Sequence, residues 1–145
     1  MASTITKNIL PVVVGAMTGM MLMEVGEWGI YRLYPLPPGT DVRDQVSLAH
    51  AIGVMPLTAF LALLINYMFA SFVAGGVATL VSNRLRRWPA IIVGIVLTLA
   101  GLFNAAVLPN PLWFKIANFF IYYPLAYAGY FAVRRNPAQE HKTIV

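Results

Sequence analysis

Residues 21–31 read MLMEVGEWGIY, an apolar helical stretch that nevertheless carries Glu24 and Glu27. Three residues apart, the two carboxylates share one face of a helix, roughly opposite a stripe formed by Gly15, Gly19, Gly26 and Gly29. An ionised side chain near the centre of a bilayer costs about 3 kcal/mol on insertion scales. Two on one face are tolerated only when paired, protonated or wet. Like charges this close oppose each other's ionisation, so one carboxyl can hold a proton near neutral pH. The chemistry these residue types suit is therefore binding of a cation or a proton. Counting back from Tyr31 at 1.5 Å per residue puts Glu24 about 10 Å and Glu27 about 6 Å inside the apolar layer.

Other polar residues fall at similar depth. Asn104 lies a turn below one end of its apolar run, Lys115 and Asn118 one and two turns inside theirs, Asn66 near the middle of another, and His50 just above. Together with Glu24 and Glu27 they outline an outward-facing polar cavity that takes a ligand or proton. Lys115 or Arg32 is the expected counter-ion, and the asparagines supply neutral hydrogen bonds. A plainer reading stands beside each assignment. Glu27 snorkels to the interface and pairs with Arg32, Glu24 is a structural hydrogen-bonding residue, and the asparagines join helices.

Other signals are weaker. Met17, Met20, Met21 and Met23 crowd the first run, and thioethers bind Cu(I), but no cysteine supports them. Glu24, Glu27 and His50 lack the paired Glu-x-x-His repeats of di-iron bundles. The aromatic residues from Phe114 to Phe131 suit a quinone or pigment site in one reading and lipid-facing or packing positions in the plainer one. No phosphate loop, dinucleotide-binding glycine pattern, nucleophile elbow or zinc motif is present. No enzyme activity and no cofactor are expected.

The elements that must position these residues follow from composition. Of 145 residues, 59% are hydrophobic and 10% charged, with mean hydropathy +0.73. A soluble domain carries roughly 25% charged residues, so this chain is too poor in charge to cover a water-facing surface. Four runs, roughly 9–31, 56–82, 89–108 and 111–133, meet the approximately 20 residues needed to cross a bilayer as helices. Pro11, Pro56, Pro89 and Pro111 stand near their starts, and Pro124 predicts a kink in the fourth. The connections NRLRRW and LPNP are tight and make neighbouring spans antiparallel. Lys7, Arg84, Arg86, Arg87, Arg134, Arg135 and Lys142 fall on one side, against Arg32, Arg43 and Lys115 on the other. Seven against three places both termini in the cytoplasm. The basic residues gather at the ends of apolar runs, so the net charge of +5 does not point to nucleic acid.

Residues 41–54 read as a short amphipathic helix at the outer surface, with Val42, Val46, Ala49 and Gly53 on one face and Asp41 and Asp44 near its start. Residues 134–145 read as a polar tail. The predicted fold is all-α, a single four-helix transmembrane bundle with this outer helix. Gly15, Gly19 and Gly26, with Ala70, Ala74 and Ala78, let helices approach closely. They serve either a homodimer seam or contacts within the chain's own bundle.

YPLPPGTD after the first span and LPNPLWF before the fourth, with the Glu-bearing first span, resemble a group of small four-span bacterial membrane proteins that are mostly uncharacterised. The resemblance implies a bacterial inner-membrane protein and brings no activity. Asn110 stands where that group often has His, so no role of such a histidine carries over. A Glu in the first of four spans is similar to the small multidrug transporters, but the flanking residues do not match. Two functions follow as expectations. One is binding or transport of a small cation or proton-coupled solute around Glu24. The other is a non-catalytic accessory or assembly role in a larger membrane complex.

Overall fold

Proline and glycine set most of the element boundaries. The computed structural model describes residues 2–82 and 85–134, with side chains described from residue 8 onward. The polar tail beyond Arg134, and with it Arg135 and Lys142, lies outside the described residues, as do Arg84 and the Lys7 side chain. Five helices follow in order: α1 Ala2–Leu33, α2 Gln45–Gly53, α3 Leu57–Val81, α4 Trp88–Val107 and α5 Leu112–Arg134. Pro56 caps α3 and Pro89 occupies the first turn of α4, where a missing N–H costs little. The Lys115 N–H closes the first turn of α5 on the Pro111 carbonyl. Helix α1 begins earlier than the apolar run, so Pro11 lies inside it and is fully buried. Helix α5 runs unbroken through Pro124.

The fold is all-helical, and α1 (over Asn8–Leu33), α3, α4 and α5 are each long and apolar enough to cross a membrane. They form a four-helix bundle. Helix α3 is its axis, packing most extensively against α5 and α1; α4 joins α5, and the seam between α1 and α4 is the loosest.

Small residues create the tight seams. A Cβ on Gly15 would sit 2.6 Å from the Ala78 Cβ and 2.8 Å from the Ala74 carbonyl, and one on Gly19 would sit 2.8 Å from the Ala74 Cβ. Gly26 faces the Asn66 side chain at equally short range. Gly15, Gly19 and Gly26 thus lie against α3, whereas a Cβ on Gly29 would meet nothing within 4 Å. On the other side of α3, Gly75 meets the Ala126 backbone and Gly129 meets the Phe72 carbonyl, so α3 and α5 touch main chain to main chain.

Helix α2 folds down on the bundle. The Asp44 side chain accepts from the N–H groups of Val46 and Ser47, a carboxylate cap on the helix's orphan donors. The buried face is Leu48, Ala51 and Ile52, packed into the same core as Phe60 and Leu63. The face expected from the sequence is the wrong one: Val42 and Val46 are exposed, as are Ala49 and Gly53. Leu48 and Ile52 carry more apolar area than the alternative set, and burial follows area.

Candidate functional site

Helix α1 turns Glu24 and Glu27 toward the loose seam with α4. Glu27 is rotated about 60° from Glu24 toward the glycine stripe, and that rotation decides their surroundings. Glu27 is half-buried and accepts a hydrogen bond from the Tyr67 hydroxyl of α3, 2.7 Å long. Glu24 is exposed on the flank of the bundle. Both line a cavity of about 250 Å³ between α1 and α4. Tyr67, Tyr122 of α5 and Leu97 line it from inside, with Met20, Phe103 and Asn104 at its exposed side.

Tyr67 is the organising residue. It is almost fully buried, and a buried phenol needs a partner for its hydroxyl. Its ring packs against Phe114 at 6.4 Å and Tyr122 at 6.2 Å, both from α5. Gly101 of α4 makes room for the Tyr122 ring, where any Cβ would collide with it. Three helices thus hold the hydroxyl toward the carboxylate of a fourth.

The site lies deeper than the count along α1 suggested. Glu27 is six residues from the end of α1 at Leu33, about 9 Å, and Tyr67 and Tyr122 are each ten residues, about 15 Å, inside α3 and α5.

Of the residues singled out from the sequence, Glu24, Glu27 and Asn104 share this cavity. Asn66 does not line it. Its amide donates to the Met23 carbonyl at 3.0 Å and ties α3 to α1. Asn118 is buried on the inner face of α5, one turn from both Phe114 and Tyr122, with its Oδ1 unpartnered. Lys115 is half-buried in the first turn of α5 and off the cavity wall, and His50 is exposed on α2. The expected counter-ions are not in place. Arg32 stacks over the Trp28 ring with its guanidinium carbon 4.1 Å from the centroid, and neither Arg32 nor Lys115 lines the cavity.

Four Ser and Thr hydroxyls elsewhere in the spans do not extend the site. Thr18, Ser71, Thr79 and Thr98 each donate to the carbonyl four residues back, which satisfies them within their own helix. Among the described residues no three His, Asp or Glu side chains cluster in a way that could hold a metal ion.

The chain matches no protein-family model, no curated protein and no solved structure. The chemistry of the site therefore rests on its own residues. Sequence reasoning passed over Tyr67 and treated Tyr122 as packing. A usable signal was there: Tyr67 is the single tyrosine of an apolar span and directly follows Asn66.

Proposed function

We propose that this is a non-catalytic multi-pass protein of a bacterial inner membrane, with cytoplasmic termini, whose α1–α4 cavity binds or transports a small cation in exchange for a proton. The observation that supports this is one of charge. Two carboxylates share a cavity whose walls, among the described residues, carry no Lys, Arg or His. Each bears a cost of about 3 kcal/mol if ionised at membrane depth, so the compensating positive charge is a proton or arrives with a ligand. Tyr67 holds Glu27 through one hydrogen bond and leaves its remaining acceptor sites for that ligand. Met20, Met23, Leu97 and Phe103 add apolar walls, and the Tyr67 and Tyr122 rings add π faces that attract cations.

The test is proton release from the purified protein in weakly buffered detergent, as sodium, potassium and alkylammonium ions are added in turn. At least one cation should displace protons, binding should strengthen as pH rises, and Glu27→Gln should abolish the release. No release with any of them, or release unaltered in both Glu24→Gln and Glu27→Gln, would overturn the reading.

A second reading, as an accessory subunit of a larger membrane complex, is favoured by the flank of α1. Glu24 is exposed there beside Met17, Met21, Val25 and Trp28, and a partner helix that donates to Glu24 would shield it from lipid. Co-migration with a large complex in mild detergent, together with absence of proton release, would select this reading.

A further inference from the structure

At the opposite end of the bundle from α2, a second cavity of about 390 Å³ lies along the seam of α3 and α5. Gly76 and Gly129 line it where side chains are missing, and Phe72, Val77, Leu80 and Val133 supply apolar walls. The α3 residues that line it run from Phe72 to Leu80, eight residues or about 12 Å along the helix axis. The cavity is therefore an elongated groove, parallel to the spans, reaching from the helix ends toward the middle of the bundle. Leu85, in the turn after α3, closes its far end and carries the one positive φ of a non-glycine residue among the described residues, 46°.

Among the described residues, the charge at that end has a single sign. Leu85 is followed in the chain by Arg86, and Val133 by Arg134. Both arginines are exposed. The Arg86 N–H is anchored to the Ser82 hydroxyl at 3.0 Å, and the Arg134 guanidinium donates to the Tyr130 hydroxyl at 2.6 Å, with Tyr130 itself buried. Of the chain's five acidic residues, Glu24, Glu27, Asp41 and Asp44 belong to the half of the molecule nearer α2, and Glu140 lies outside the described residues. No described carboxylate is available to neutralise these arginines.

We infer that the α3–α5 groove is a binding site for one anionic phospholipid, with an acyl chain along Val77 and Leu80 and the phosphate between Arg86 and Arg134. An apolar trough parallel to the spans with cations only at its interfacial end fits an amphiphile with a negatively charged head. A guanidinium fork pairs well with phosphate oxygens, and basic pockets between spans suit anionic head groups. A partner helix would have no use for paired arginines at the lip, and a free phosphate would leave the trough unfilled.

The experiment is native mass spectrometry of the full chain in neutral detergent, titrated with phosphatidylglycerol or with phosphatidylcholine of the same acyl chains. One phosphatidylglycerol should be retained at concentrations where phosphatidylcholine is not. The double variant Arg86→Gln/Arg134→Gln should weaken that retention roughly tenfold or more, since each charge-assisted contact is among the stronger hydrogen bonds. Val77→Trp, and in parallel Leu80→Trp on the exposed rim, should block the trough and remove the retained lipid while the arginines remain. Equal retention of the two lipids, full preference in the double variant, or unchanged occupancy in a folded trough variant would each overturn the assignment. Phosphate alone competing the lipid off would also overturn it, because the trough would then contribute nothing.

Discussion

The Tyr67–Glu27 hydrogen bond can be made to report the state of the carboxylate. It crosses from α3 to α1, 40 residues apart in sequence, and is 2.7 Å long. Interhelical hydrogen bonds within membranes average about 0.6 kcal/mol in double-mutant cycles, with a maximum near 1.7. Hydrogen bonds to a charged group are worth about 1.5–3 kcal/mol. Tyr67→Phe removes only the hydroxyl and leaves the ring packed on Phe114 and Tyr122, so its cost is the bond and little else. For an ionised Glu27 the substitution should cost about 2 kcal/mol. In a Glu27→Gln background the amide oxygen still accepts, and the same substitution should cost about 0.6 kcal/mol. In a Glu27→Leu background no acceptor remains, and Tyr67→Phe should be neutral or stabilising, because an orphaned buried hydroxyl is then removed. The assay is reversible unfolding from mild detergent by added sodium dodecyl sulfate, repeated in all three backgrounds. The exchange proposed above needs Glu27 to hold a proton before the cation binds, so the cost in the Glu background should match that in the Gln background, and a cost of about 2 kcal/mol would refute that proton. Equal costs in all three would refute the hydrogen bond itself.

Two further outcomes test the packing. Gly75→Leu should destabilise by about 3 kcal/mol or more, whereas Gly76→Ala should change stability by less than about 1 kcal/mol, in the same unfolding assay. The contrast arises because a Cβ at Gly75 meets the Ala126 main chain, which cannot move aside, while one at Gly76 finds its nearest neighbour at 3.5 Å. Asn118→Leu should be neutral or stabilising by about 1 kcal/mol, since it removes a buried acceptor that lacks a donor. Clear destabilisation by that substitution would mean that Oδ1 holds a bound water or ligand.

The sequence was informative wherever chain-local physics is decisive. Long uncharged runs can only be helices in a membrane, so α1, α3, α4 and α5 were legible to within a few residues at most boundaries. The early start of α1 was not, because Thr4, Thr6 and Lys7 lower the apolar signal that marks a span without breaking the helix. The amphipathic face of α2 was misread because alternative apolar faces exist on nine residues. Only contact with the core distinguishes Leu48 and Ile52 from Val46 and Ala49. Polar residues at similar depth were gathered into one cavity on the strength of depth alone. Depth is one coordinate of three. Asn66 turned to a backbone carbonyl and Arg32 to an indole ring because rotation about each helix axis, rather than height, sets what a side chain meets.

Taken by itself, the order of residues determined that this chain is a bundle of four apolar helices and that Glu24 and Glu27 carry an electrostatic cost within it. That follows from composition and helical period, which need no neighbours. Which carboxylate is held, and by what, was decided only in the folded bundle. Glu27 belongs to Tyr67 because Gly26 lets α1 lie close against Asn66, because Phe114 and Tyr122 wedge the Tyr67 ring, and because Gly101 makes space for Tyr122. Those are contacts among residues dozens of positions apart, and close packing of four helices is what brings them to one point.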